Sequence, residues 1–327
     1  MVSSPWKWLR TLALTVPQHE VLLERRGFSA KSLDTQYRLE SIGLSFLDGY
    51  HAALNDKGAN AIIETLEAYP SANRGFAYEG AAMATWLLDA LSPFRVGRWK
   101  AFMDLASPTQ PYITHVGVGW ALARLPWTKH SPERALPQLD PTLGWLAIDG
   151  FGFHEGYFHT AKWIHNPSQR PSFSNYANRV FDQGLGRSLW FVEGADVERI
   201  ATRLISFDAY RHADLWSGVG LACAYAGQSS EDELVCLLDL AKHHLTHLRQ
   251  GITFGAEARV RAGLADEHTQ RACAIVCDMS ATEAATLTHT TRSQAEQETE
   301  LRDTPTYEIW RNRLRIQLIE HSGKVLA

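Results

Sequence analysis

The sequence predicts an all-α, multi-helical protein of stacked helical hairpins, in a solenoid-like or α/α arrangement that encloses a hydrophobic pocket. Three observations predict this class. Apolar residues recur at three- and four-residue steps along much of the chain, long alternating segments rich in Val, Ile and Thr are missing, and glycine-rich strings separate the helical stretches. With 327 residues, of which 45% are hydrophobic, the chain suffices for two domains or one extended array of helices.

The elements follow an N-terminal segment, residues 1–36, and fill a predicted core domain, residues 37–285. The clearest stripe runs from 37 to 54, where Leu39, Ile42 and Phe46 share one helical face. Further apolar stripes span residues 81–91, 116–125, 197–205, 215–226 and 233–248. A polar stretch at 288–303 and a last stripe at 307–321 predict that residues 286–327 form a linker and a C-terminal helix.

A weak internal sequence repeat supports the hairpin arrangement. A Phe stands two or three residues before each of four glutamates, which are Glu79, Glu155, Glu193 and Glu257. Strings of small residues, 115–123 and 217–225, are interleaved with these and would let helices approach closely. The glutamates are irregularly spaced, so they do not establish a regular repeat.

Composition excludes several classes of protein. The 32 basic and 36 acidic residues leave a net charge of -4, which argues against a nucleic-acid-binding surface. Four cysteines without a CxxC pair argue against a disulfide scaffold, and no segment is long and apolar enough to cross a bilayer, so we expect a cytoplasmic protein. Trp6 and Trp8 leave room for a peripheral membrane or biosynthetic-complex contact.

The densest polar string is 149–159. On a helix Glu155 and His159 are one turn apart and can hold a metal ion, or the carboxylate can orient the imidazole, whereas His154 is expected to point elsewhere. The order Glu79, then Glu155 with His159, then Asp208 with His212, is similar to the ligand order of haem-oxygenase-like di-iron oxidases. Ordinary salt links one turn apart explain the same pairs.

Other polar residues can likewise be interpreted as ligand-binding or as structural. His115 lies near a helix start, where a loop contact is the alternative to ligand binding. Arg187 suits an anionic group or an ion pair, and Glu193 in its apolar string suits a site or a structural pair with Arg199. The strings Gly117-x-Gly119 and Gly184-x-Gly186 are too short to imply a nucleotide.

Five strings in one order carry a family resemblance: Arg74–Met83, His115–Arg124, Asp149–His159, Gly184–Ala195 and Asp214–Gly227. They resemble the UnbL-type family of unknown function found with enediyne polyketide gene clusters, over roughly residues 20 to 290. The resemblance implies work on a long polyene beside a polyketide synthase. Because Asp208 and His212 lie outside the strings, it favours Asp214 as the partner of the histidines.

The sequence therefore predicts an enzyme of natural-product biosynthesis that acts on a hydrophobic polyene, with oxidation or desaturation at a divalent metal, Fe or Mg, as one mechanism. The alternatives are a metal-independent cyclase or isomerase and a non-catalytic carrier or scaffold. The predicted catalytic residues are Glu79, His154, Glu155, His159 and Asp214, with Glu155 and His159 as metal ligands. The predicted substrate-binding residues are His115, Arg187, Glu193, Tyr157, Trp190 and Trp216.

Overall fold

The computed structural model describes residues 13–94, 96–298 and 304–325. These residues form α-helices joined by turns and short 3-10 helices, and they contain no strand, so the all-α prediction is confirmed. The first helices are α1 (Leu23–Arg26), α2 (Leu33–Leu54), α3 (Ala59–Glu67), α4 (Ser71–Ala90), α5 (Arg98–Ala106), α6 (Pro111–Arg124), α7 (Leu146–Phe158) and α8 (Thr160–Trp163). The others are α9 (Asn175–Val192), α10 (Val197–Ile205), α11 (His212–Ala226), α12 (Glu231–Leu240), α13 (Leu245–Arg261), α14 (Glu267–Cys277), α15 (Ala281–Glu298) and α16 (Thr306–Val325).

The helices form two layers. The longer helices α2, α4, α6, α7, α9, α11 and α13 pack side by side in chain order as an inner row, which α15 and α16 continue. Shorter helices connect them and pack on one another, α3 on α5, α10 on α12 and α12 on α14. An inner and an outer helix per unit is the architecture of an α/α solenoid, so the predicted stacked hairpins are present.

Glycines place the inner helices very close together. One set recurs at intervals of 33 or 34 residues, at Gly117, Gly150, Gly184, Gly218 and Gly251. A Cβ at Gly184 would overlap the Asp149 carbonyl oxygen of α7, and a Cβ at Gly186 would overlap the Leu215 carbonyl oxygen of α11. Residues two apart on a helix point in roughly opposite directions, about 200° around the axis. The two glycines of each Gly-x-Gly string therefore contact the preceding and the following inner helix. These strings mark a regular repeat, whereas the glutamates are irregularly spaced.

The inner row curves so that helices distant in the chain meet across an interior. The rings of Phe76 on α4 and Tyr225 on α11 lie 5.1 Å apart, centroid to centroid. Tyr112 on α6 donates a 2.9 Å hydrogen bond to Glu257 on α13. The inner faces of the helices therefore surround a common core.

Both ends of the described chain close this interior. In the N-terminal segment, Leu14 accepts a 2.8 Å hydrogen bond from the Tyr50 hydroxyl, and Val21 accepts a 3.2 Å bond from Tyr157. On α16, the Trp310 ring stacks on Phe254 at 4.4 Å. Trp6 and Trp8, with their predicted membrane or complex contact, lie outside the described residues. No helix in the described ranges is long and apolar enough to span a membrane.

Two predicted boundaries differ from the structure. The stripe at 233–248 belongs to two helices, because α12 ends at Leu240 in the outer layer and α13 begins at Leu245 in the inner row. The predicted boundary at 285/286 falls inside α15, whose Thr288 and Thr291 are buried. These hydroxyls donate 2.8 Å hydrogen bonds to carbonyls of their own helix, so a polar sequence packs in the core without unsatisfied groups.

Candidate functional site

Glu79 on α4 faces a cavity of about 50 Å³ inside the curved row. Its side chain is buried, with 3% of its surface exposed. Most of the wall is apolar, and its aromatic members are Phe46, Phe76, Trp120, Phe153, Tyr157 and Phe191. A carboxyl group in such surroundings is costly unless it is paired or protonated.

Glu79 has an unusual protonation behaviour for a glutamate. Burial raises its pKa from 4.5 to about 7, against the opposing effects of the Arg187 charge and the Trp120 indole N–H. Within the described part of the chain, Glu79 makes no ion pair, and the indole nitrogen of Trp120 completes no hydrogen bond of normal geometry. Glu79 can therefore hold or release a proton near neutral pH, the property required of a general acid or base.

Arg187 on α9 lies in the same cavity wall, and a buried carboxylate outside that wall neutralises its positive charge. Arg187 donates to Asp149 on α7, and both side chains are almost completely buried. Gln183 also donates a 2.8 Å hydrogen bond to Asp149, and a 3.0 Å bond to the Tyr307 hydroxyl. Because Asp149 offsets the charge of Arg187, Arg187 only partly opposes the effect of burial, and the pKa of Glu79 stays raised.

Two further apolar cavities flank the first. One, of about 30 Å³, shares Arg187 with it and reaches Trp310; the other, of about 20 Å³, shares Trp120 and reaches His154. Residues three positions after each repeating glycine line the three cavities: Met83, Trp120, Phe153, Arg187, Leu221 and Phe254. The three cavities therefore lie in a series along the inside of the row, with Trp120 and Arg187 in the walls between them and Glu79 in the first.

Glu79 and Asp149 occupy equivalent positions in the repeat, each directly before a close-contact glycine. Gln183, Ser217 and Gln250 occupy the same position in later repeats. Gln250 donates a 3.0 Å hydrogen bond to the Ser217 hydroxyl, which itself donates at 3.4 Å to Gln183. Sequence reasoning missed the role of Asp149 and Gln183. The glycine interval, read one residue upstream, aligns these two with each other, and Gly80, which stands 37 residues before Gly117, places Glu79 in the same position.

His154, Glu155 and His159 form a second polar group at the end of α7. One Glu155 oxygen lies 3.4 Å from His154 Nδ1 and 3.2 Å from His159 Nδ1, while the other accepts a 2.8 Å hydrogen bond from Trp163. The expectation that His154 points elsewhere is wrong, because the long Glu155 side chain brings its carboxylate to both rings. One potential ligand atom from each residue lies within 4.8 Å of the others, a geometry that can accommodate a metal ion.

The protonation states of this group suit ligands. Burial raises the pKa of Glu155, but the hydrogen bond from His154 and the charges of both histidines outweigh burial and hold that pKa below its usual value. Burial lowers the pKa of His154 although Glu155 opposes this, so its ring gives up its proton more readily than an exposed imidazole does. A carboxylate and a neutral imidazole are the forms that bind a metal.

The model of one protein family matches residues 5–318 and is described as Protein of unknown function (DUF1702). The chain belongs to the DUF1702 family. No curated protein and no solved structure gives a significant match. A family of unknown function that covers nearly the whole chain is thus confirmed, and the DUF1702 description assigns no activity to the cavity or to the histidine group.

In this DUF1702 chain Asp214 lies apart from the groups above. It pairs with Arg179 at 3.0 Å and with Arg311 at 2.6 Å, and Arg311 also contacts Glu308. Burial opposes ionisation, but the arginines outweigh it and lower the pKa of Asp214. A carboxylate saturated by two guanidinium groups is suited to joining α9, α11 and α16.

The di-iron ligand order is not assembled in the described residues. Asp208 is exposed, and His212 shares a 2.8 Å hydrogen bond with the Phe207 carbonyl. The cluster of His154, Glu155 and His159 is the one group of three potential ligands with metal geometry in the described ranges.

Of the predicted binding residues, Arg187 and Tyr157 line the Glu79 cavity. His115 is buried and its Nδ1 lies 2.6 Å from the Pro111 carbonyl of its own helix. Trp190 donates a 3.0 Å hydrogen bond to the Gly227 carbonyl, and Trp216 is buried in the core.

Glu193 forms structural ion pairs, which was the alternative to a role in binding. It accepts hydrogen bonds from Arg199 at 3.0 Å and from Arg203 at 2.8 Å, one on each carboxylate oxygen. It lines an open cleft beside Tyr157 rather than the interior.

Proposed function

We propose that this DUF1702 member is an enzyme of natural-product biosynthesis that binds an elongated unsaturated hydrocarbon chain along its inner cavities and isomerises or cyclises it, with Glu79 as acid and base. The observation that carries the proposal is a buried, unpaired carboxyl group with a pKa of about 7 in an aromatic cavity. The resemblance to the UnbL-type family favours a polyketide-derived polyene as the chain, and the sequence favours the cytoplasm as the place of reaction.

The proposed reaction is redox-neutral. The protonated Glu79 carboxyl gives its proton to one carbon of a double bond, whose electron pair forms the new C–H bond and leaves a carbocation on the other carbon. Loss of a proton from a neighbouring carbon to the Glu79 carboxylate then forms a shifted double bond. If a second double bond of the chain attacks the carbocation first, the same final proton loss gives a ring.

The cavity wall suits a cationic intermediate. The faces of Phe76, Trp120 and Phe153 offer negative π-density to a positive charge and no nucleophile to trap it. The positive charge of Arg187 would repel the carbocation, but the Asp149 carboxylate, which does not line the cavity, neutralises the Arg187 charge. The mainly apolar wall holds few partners for water, which limits hydration of the intermediate.

Product analysis in the producing host tests this proposal. Deletion of the gene should accumulate an unsaturated intermediate with the same molecular formula as the product, and the wild-type gene should restore the product. Glu79→Gln should fail to restore it, because the amide cannot donate the proton. Glu257→Gln is the matched control, since Glu257 is also buried but is paired with Tyr112 and Arg261 outside the Glu79 cavity. Restoration by Glu79→Gln would contradict the acid–base role.

A second function is favoured by the histidine group. Two imidazoles and one carboxylate with open positions are the ligand set of non-haem Fe(II) oxidation enzymes, and they fit iron better than magnesium. His154, Glu155 and His159 would hold the ion, and His154 also lines the cavity next to Trp120. We propose metal-dependent oxidation or desaturation of the same chain as this alternative, with dioxygen as the oxidant and an intermediate that differs from the product in hydrogen or oxygen content.

Metal analysis decides between the two functions. If the second function is correct, protein purified without chelators contains iron. The double variant Glu155→Gln/His159→Ala then loses both the iron and product formation. His243→Ala is the control, because His243 is an exposed histidine that lies outside this group and lines none of the cavities. Absence of metal together with full activity of the double variant would remove this function.

A carrier or scaffold makes a different prediction for Glu79. In that case Glu79→Gln changes how tightly the chain is bound and leaves the rate of product formation per bound chain unchanged. Comparing binding with turnover in the same variant separates the two roles.

A further inference from the structure

An open cleft of about 570 Å³ lies beside the interior, between the N-terminal segment, the end of α7 and helix α10. Five cationic side chains line it: Arg25, Arg26, Lys162, Arg199 and Arg203. Glu193 is the single carboxylate among its lining residues. This concentration of positive charge stands out in a chain whose net charge is -4.

Several of these charges are available to a ligand. Arg203 uses its Nε to bind Glu193, and its two terminal nitrogens make no hydrogen bond within the described ranges. Lys162 is exposed and lies over the Trp163 ring, 4.1 Å from its centroid. Glu193 pairs with Arg199 and Arg203, and Glu20 pairs with Arg25 and Arg26. The five cations of the cleft therefore face two carboxylates, which leaves an excess of positive charge.

Aromatic rings separate the cleft from the interior. Tyr157 lines both the cleft and the Glu79 cavity, and Phe158 lines both the cleft and the His154 cavity. The Phe28 ring packs edge-on against Tyr157 at 5.3 Å, and the Arg26 guanidinium lies 5.2 Å from the Phe158 ring centre. A molecule with its charged head among the cations would point its apolar tail at these rings, and the Tyr157 ring would have to turn aside for the tail to enter the Glu79 cavity.

We infer that the cleft binds the phosphate-type head group of the substrate, so that the substrate is a long-chain phosphate or diphosphate ester whose tail enters the Glu79 cavity. This inference rests on the proposed function. Arginine side chains present two parallel N–H groups that match phosphate oxygens, and several cations in one cleft suit a group that carries more than one negative charge. A chain without a charged head would leave the Lys162 ammonium and the terminal nitrogens of Arg203 without an anionic partner.

Calorimetric binding of two probes tests the inference: decyl phosphate, kept below its critical micelle concentration, and decanol, which has the same tail without charge. Decyl phosphate should bind at least about tenfold more tightly, and added salt should reduce the difference. Lys162→Gln combined with Arg25→Gln should abolish the preference. Lys100→Gln combined with Lys242→Gln removes the same charge from exposed positions outside the cleft and should keep it.

Each outcome has a defined meaning. Equal affinity for both probes, or equal loss in the control variant, overturns the head-group site while the proposed cavity function stands. Binding of neither probe removes the proposed function as well. Vesicles of phosphatidylglycerol provide the last arm: if the cleft variant loses vesicle binding while monomeric decyl phosphate never binds, the cations recognise a membrane surface and the inference is wrong.

Discussion

Replacing Glu79 by glutamine should change how the stability of the protein depends on pH. The pKa of Glu79 is about 7 in the folded chain, against 4.5 for an exposed glutamate. This shift corresponds to about 3 kcal/mol of difference between the two protonation states. Glutamine has nearly the same shape as the protonated acid and cannot ionise, so the variant carries none of this cost.

The sign of the effect follows from proton binding. Below pH 4.5 the carboxyl is protonated in both folded and unfolded chains, so wild type and Glu79→Gln should be about equally stable. Between pH 4.5 and about 7 the unfolded chain releases the proton and the folded chain keeps it, so wild-type stability falls relative to the variant as pH rises. Above pH 7 the variant should be the more stable protein by about 3 kcal/mol.

Urea unfolding of both proteins at a series of pH values from 4 to 8 measures this difference directly. Glu64→Gln is the control, because Glu64 is an exposed glutamate on α3. Its stability should follow that of the wild type throughout. If the free energies of unfolding of wild type and Glu79→Gln remain parallel over this range, Glu79 does not retain its proton and the acid–base argument fails.

Further predictions concern the partners of Glu79 and the packing of the row. Asp149→Asn should lower the pKa of Glu79, because Glu79 then becomes the carboxylate that faces Arg187; an NMR titration of the Glu79 side chain measures this, and an unchanged pKa would contradict the charge balance. Gly186→Ala should cost about 1–3 kcal/mol of stability, since its methyl group would overlap the neighbouring helix. Gly323→Ala, at an open helical position, should instead be neutral or stabilise by roughly 0.5–1 kcal/mol; equal effects of the two glycine substitutions in thermal unfolding would refute the close-packing argument.

The helices were accessible to sequence reasoning because their main signal is local. Apolar residues one turn apart must share a face whatever the rest of the chain does, so the predicted stripes at 37–54 and 197–205 correspond to α2 and α10. Periodicity predicted one helix at 233–248, where the structure has two consecutive helices that carry the same apolar stripe and lie in different layers. Nothing in the periodicity shows which neighbour each helix meets.

Site prediction divides in the same way. Glu155 and His159 are one turn apart, so their proximity follows from the helix itself. The separation of Asp214 from them depends on Arg179 and Arg311, which come from α9 and α16 and are distant in sequence. Pairing between distant helices has no local signature.

By itself the sequence determined that the chain is helical, that glycines recur every 33 or 34 residues, and that an isolated glutamate stands in an apolar string. Only the tertiary structure decided that those glycines bring inner helices into backbone contact and that Glu79 faces an aromatic cavity beside the Arg187–Asp149 pair. The physical reason is that a pKa depends on burial and on nearby charge. Both are supplied by helices that the curvature of the row brings together from distant parts of the chain.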